Sequence, residues 1–135
     1  MRKTTAWITF AFMFAAFGAA AAAELGFGQV VDNLDLHKNT KLHVREYWDG
    51  VRGRGLSSSG TVVDVRGGRG RAQVIVANKS RRLVRGHNIV LVVNDEERAA
   101  RLRKGQQVRF RGVLHDYRSA RHGGVVLTLS DAEVQ

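Results

Sequence analysis

Arginine gathers in four places along this chain, and each gathering has the chemistry to hold oxyanions. The first is Arg66-Gly67-Gly68-Arg69-Gly70-Arg71, and the second is the set Lys79, Arg81, Arg82 and Arg85. The third is Tyr117, Arg118, Arg121 and His122, and the fourth is the alternating pair Arg109 and Arg111. A guanidinium presents a planar fork of donors that fits phosphate or sulfate in two-point contact. Basic side chains spread over several segments are what a surface tracking a polyanion backbone requires. The candidate ligand-binding residues are therefore Arg66, Arg69, Arg71, Arg81, Arg82, Arg118 and Arg121, with Tyr117 as a stacking group.

Other chemistries are poorly supplied. His37, His43, His87, His115 and His122 fall at no compact metal-ligand spacing, although His115 and His122 bracket one segment and could approach each other. No metal and no cofactor is expected. Metal-dependent phosphodiester hydrolysis needs converging carboxylates. Asp64, Asp116 and the run Asp95-Glu96-Glu97 are dispersed, so a nuclease ranks third among the readings. No Ser-His-Asp or Cys-His arrangement, phosphate-binding loop or dinucleotide fingerprint is present. The chain reads as a binding module and not as an enzyme.

The positioning elements follow from periodicity. Leu56 to Val65 reads as a strand interrupted by Gly60, where a bulge or bend is expected. Arg71 to Ala77 alternates as a second strand, and His87 to Val93 is a nearly continuous apolar third. Asn94 or Asp95 caps a short helix running through Arg103, and Gly105 stops it. The fourth strand turns Val108, Phe110, Gly112 and Leu114 one way, and Arg109, Arg111 and Val113 the other. Gly124 to Ser130 is the fifth, with Val125, Leu127 and Leu129 inward.

Upstream, Asn39 reads as the N-cap of an amphipathic helix carrying Val44, Tyr47, Trp48 and Val51 on one face. Glu24 to Lys38 is left between packing on the domain and a loose lead-in, with Leu25, Phe27, Val30 and Val31 as its packing residues. In this reading two segments become basic loops, 66–71 between strands one and two and 116–124 between strands four and five. Strands two and three carry no aromatic side chain, which argues against base stacking on the sheet.

Five strands with a short helix between the third and fourth is the order of an OB-fold, a Greek-key barrel that binds on one face and in two loops. The expected class is thus mainly β, a five-stranded OB barrel with an extra N-terminal amphipathic helix. The runs Gly60-Thr61-Val62-Val63-Asp64-Val65, Ile89-Val90-Leu91-Val92, Lys104-Gly105-Gln106-Gln107-Val108-Arg109-Phe110-Arg111-Gly112 and Val125-Val126-Leu127-Thr128-Leu129 carry a resemblance. They resemble exported bacterial OB-fold proteins of the tRNA-anticodon-binding-like type. The resemblance spans about Gly55 to Val134 and implies a binding module with its ligand open.

The N-terminus bears on location. Met1-Arg2-Lys3 precedes an apolar run ending in Ala19 to Ala23, the three parts of a secretory signal peptide. A retained membrane anchor is the rival reading. The expected division is 1–23 signal peptide, 24–54 N-terminal helical segment and 55–135 barrel, exported and periplasmic. No cysteine occurs, so there is no disulfide and no lipidated cysteine at the cleavage point.

The whole chain carries a formal net charge of +10. Two of its 22 basic residues lie before Glu24, leaving 20 against 12 acidic residues, a net of +8. Such a charge favours a polyanion, either nucleic acid or an acidic envelope polymer. The alternative partner is an envelope protein docked through the loops, with the charge serving solubility.

Overall fold

The computed structural model describes residues 24–135; the expected signal peptide, 1–23, lies outside the described residues. Two helices come first, α1 (Phe27–Leu34) and α2 (Lys41–Val51). The strands are β1 (Gly55–Gly68), β2 (Arg71–Ala77), β3 (Ile89–Val93), β4 (Gln107–Ser119) and β5 (Val125–Val134), with α3 (Glu96–Ala100) between β3 and β4. They close into a barrel in the order β1-β2-β3-β5-β4, with β4 returning to β1. The β3–β5 contact is parallel, pairing Ile89 with Leu127 and Leu91 with Leu129. The other contacts are antiparallel. This is the expected OB-fold.

Closure depends on β1 changing partner midway. Its first half, Gly55 to Thr61, pairs with β4, and its second half, Thr61 to Gly68, pairs with β2. Gly60 stands at the crossing because nothing larger fits: a Cβ there would sit 2.5 Å from Val76 Cγ1 and 2.8 Å from the Ala77 carbonyl oxygen. The bulge itself comes three residues later than Gly60. The register with β2 shifts between Val62 and Asp64, so Val62 stays inward and Val63 is turned to solvent.

Alternation on β4 holds as the sequence predicts. Val108, Phe110 and Leu114 are buried in the barrel core, and Arg109 and Arg111 are exposed. With Leu56, Val62, Val74, Val76, Ile89, Leu91, Leu127 and Leu129 they form one apolar cluster. Burying each such side chain contributes about 1.5–3 kcal/mol, offset by the chain entropy lost on folding.

Glu24 to Lys38 is mostly ordered helix, not a loose lead-in. Phe27, Val30, Val31 and Leu34 recur at helical spacing and are all buried in the same core cluster. The helix packs on β5, β1 and α2. The cap of α2 is Thr40, one residue beyond the expected Asn39; the Thr40 hydroxyl accepts the His43 N–H at 3.1 Å. Asn39 closes α1 instead, donating from Nδ2 to the carbonyls of Asp32 (2.7 Å) and Asp35 (3.1 Å). On α2, Val44 and Val51 are buried, while Tyr47 and Trp48 are half-buried against the core. Burial raises the Tyr47 phenol above its usual range.

α3 is shorter than its expected reach to Arg103. Asp95 caps it by accepting the Arg98 N–H at 3.0 Å, and it ends at Ala100. Gly105 then donates its N–H to the Val62 carbonyl at 2.8 Å, tying the turn back to β1.

Candidate functional site

The outer face of the barrel carries a groove of about 730 Å³. Its floor comes from the cross-strand row Asp64–Ile75–Val90–Thr128–Asp116, one residue from each of the five strands. Ile75 and Val126 are each only 6% exposed, yet neither belongs to the barrel core cluster; both line the groove from outside. The centre of the floor is thus aliphatic, Ile75 and Val90 joined by Val63 and Val126, with Asp64 and Asp116 at the two ends of the row. Around it stand Arg66, Arg85, Lys104 and Arg118, with Tyr117 and His87 on the wall.

The strand ends set these positions. β1 runs to Gly68 and β2 begins at Arg71, so the first basic loop shrinks to the two-residue turn Arg69-Gly70. Both of its residues have positive φ, 58° and 78°, the pattern of a type I′ hairpin. The same device recurs at Arg85-Gly86, with φ 53° and 88°, where Val84 and His87 exchange backbone hydrogen bonds at 2.7 and 3.2 Å. Each turn holds an arginine where glycine or asparagine is preferred, at a cost of about 1 kcal/mol.

The expected loop 116–124 is also shorter, because β4 continues through Ser119. Tyr117 is therefore a strand residue. Trp48 of α2 covers it, with ring centroids 4.9 Å apart and planes tilted by 55°. Its ring is held by packing as well as facing the groove, so it is not a free stacking platform.

The eight expected ligand residues separate. Arg66, Tyr117 and Arg118 line the groove. Arg69, Arg71 and Arg121 are exposed outside it. Arg81 is engaged elsewhere: its Nε and Nη2 donate to Asp32 Oδ1 and Oδ2, each at 2.9 Å, a two-point clamp fastening α1 to the β2–β3 loop. The Arg81 guanidinium, and secondarily Lys38, hold the Asp32 carboxyl below the usual carboxylate range. Arg82 faces a different cavity, shared with His37, Lys38 and His122. His115, which brackets the same segment as His122, does not line that cavity; His37 does.

Arg85 and Lys104 are groove residues outside the expected ligand set, although Arg85 belongs to the second basic gathering. The Arg85-Gly86 dipeptide was the readable signal for a hairpin tip. Lys104, which reads as helix-end charge, is carried to the groove by the turn at Gly105.

Electrostatically the groove is mixed. Asp64 and Asp116, dispersed in sequence, line it together. Asp64 accepts the Val65 N–H at 2.9 Å and pairs with Arg66 at 3.5 Å. Asp116 accepts the Tyr117 N–H at 2.8 Å. Among the described residues no group of three or more His, Asp or Glu side chains is placed to hold a metal ion. Also among them, no helix is long and apolar enough to cross a membrane.

No family model matches this chain, and no curated protein matches it. Solved structures do. An OBody bound to hen egg-white lysozyme is 15% identical, covering 63% of this chain and 84% of its own, at a TM-score of 0.44. A crystal structure from Klebsiella pneumoniae subsp. pneumoniae, named a "putative nucleic acid-binding lipoprotein", is 14% identical over 87% of this chain and 96% of its own, at a TM-score of 0.53. At such identity the likeness is one of fold, and this chain is similar in fold to that lipoprotein over most of both lengths.

Proposed function

We propose that this protein is an exported OB-fold module that binds an extended polyanion along the groove, without catalysing a reaction on it. The observation that carries the reading is the pairing of a floor with an aliphatic centre and four cationic side chains around it. Arg66, Arg85, Lys104 and Arg118 take the anionic groups, and Ile75, Val90 and Val126 underlie the uncharged parts of the chain. Two further points support it: the Klebsiella lipoprotein of similar fold is named for nucleic-acid binding, and residues 1–23 have the composition of an export signal. The floor lacks aromatics, so recognition is of charge and shape, with little base preference. Labelled oligonucleotide and heparin titrated at two salt concentrations test this. Both should bind at low salt and weaken steeply as salt rises. Failure of both to bind at low salt removes the reading.

A second reading rests on Asp64 and Asp116. Two carboxylates beside an apolar floor suit a protein partner, which can match both signs of charge. In that case capture of one envelope protein persists at high salt and oligonucleotide binding is absent.

A further inference from the structure

The cavity of about 240 Å³ between α1, the β2–β3 loop and the β4–β5 turn lies outside the groove. It gathers hydrogen-bond donors from three separate segments: His37 and Lys38 after α1, Arg82 before β3, and His122 before β5. One of its two acids is ion-paired and the other is bonded to backbone. Asp32 is shared by Arg81 at 2.9 Å and Lys38 at 3.4 Å, and buried Asp35 accepts the His37 N–H at 2.8 Å. The Arg82 guanidinium and the two imidazoles have no hydrogen-bond or ion-pair partner among the described residues. The first two approach a common point: a Cβ placed on Gly123 would lie 3.5 Å from Arg82 Nη1 and 3.8 Å from His37 Cδ2. Gly124, at φ 96°, lets the turn press onto the β2–β3 loop, since a Cβ there would meet Val84 Cγ2 at 2.9 Å.

We infer that this junction is a phosphate-group site, built by Arg82 with His37 and His122 and separate from the groove. A guanidinium fork grips two oxygens of a tetrahedral anion, and two imidazoles on the same cavity are placed to meet the remaining oxygens. A carboxylate would leave that second set of donors unmatched. The phosphate group is either a free ion or the end of a longer chain. The β2–β3 loop of the junction also reaches the groove through Arg85, and the β4 strand that leads into the β4–β5 turn reaches it through Arg118, so a chain lying in the groove can end there.

Inorganic phosphate is the first probe, added at constant ionic strength to isotope-labelled protein and followed by NMR. The Gly123 and Gly124 amides and the Arg82 side chain should shift together and saturate. Arg82→Gln should weaken that binding about tenfold or more. It should melt with the wild type, because Arg82 has no partner to lose. His37→Gln with His122→Gln should weaken it less, and Arg66→Gln with Arg118→Gln should leave it unchanged even where it abolishes polyanion binding. The second probe is one oligonucleotide with and without a 5′-phosphate. Tighter binding of the phosphorylated strand, lost in Arg82→Gln, assigns the site to chain ends; saturable inorganic phosphate with no such difference assigns it to the free ion. Absence of saturable shifts, or phosphate binding unaltered by Arg82→Gln, overturns the inference.

Discussion

Arg81 and Arg82 are neighbours in sequence, and they belong to regions built on opposite terms. At the α1 clamp Arg81 meets Asp32 in two hydrogen bonds of 2.9 Å and serves the fold. Arg82, one residue on, lines a cavity and has no acid partner among the described residues. The groove extends the second arrangement in part: Arg85 and Arg118 line it with no acid partner among the described residues, while Arg66 meets Asp64 in a single contact of 3.5 Å. Residue type alone does not separate these roles. The partner does, and Asp32 lies 49 positions away from Arg81. An arginine with an acid in two-point contact is part of the architecture; one without is available to a ligand.

Substitutions can break that contrast, beginning with the barrel that supports both regions. Phe110→Ala empties a site that is 4% exposed and should cost about 3–5 kcal/mol, read by denaturant unfolding. A melting temperature within a degree or two of the wild type would show that Phe110 is not in the core.

Asn88 comes next. It is 0% exposed, and its side chain accepts from the Asn78 N–H and donates to the Asn78 carbonyl, both at 2.9 Å. It thereby fixes the loop that carries Arg81, Arg82 and Arg85. Asn88→Ala strands buried backbone groups and should cost about 2–3 kcal/mol. Hydrogen exchange should quicken across residues 78–87 before it does elsewhere.

Asp32→Asn should cost less, about 1 kcal/mol, because the Asp32–Arg81 pair is partly exposed and screened. Its pH dependence has a definite sign. The folded Asp32 carboxyl titrates below its unfolded value. The pair therefore stabilises above the unfolded carboxylate range and loses that contribution as pH falls through the folded value. Wild type and Asp32→Asn should converge in stability under acid, and a constant gap down to the lowest pH would contradict the clamp.

Much of the barrel was legible because its signals are local. The alternation of Val108, Phe110 and Leu114 against Arg109 and Arg111 is a period-2 pattern that the pleat enforces. β2 runs from Arg71 to Ala77 as its alternation predicts. α1 carried an equally local signal in Phe27, Val30, Val31 and Leu34, obscured by its eight-residue length. Loop lengths were harder. Glycines at 67 and 68 read as a flexible turn, yet they pair in β1, where Gly68 faces Arg71. Tyr117 likewise reads as a loop aromatic and is a strand residue under Trp48. The site was least legible, since it depends on register. Asp64 and Asp116 share a groove only because each pairs into the same row through Ile75, Val90 and Thr128. Nothing in their spacing of 52 positions announces that.

Two variants with the same charge loss test the groove as the binding surface. One replaces Arg66, Arg85, Lys104 and Arg118 of the groove with glutamine. The other replaces Arg98, Arg101, Arg103 and Arg109, which do not line it. Affinity for a single-stranded oligonucleotide is read across a salt series for both. The groove variant should lose most of the binding, and its log–log salt slope should fall by about 3, as four lost phosphate contacts require. The other variant should keep the wild-type slope. Equal losses from the two would show that net charge, and not the groove, draws the ligand.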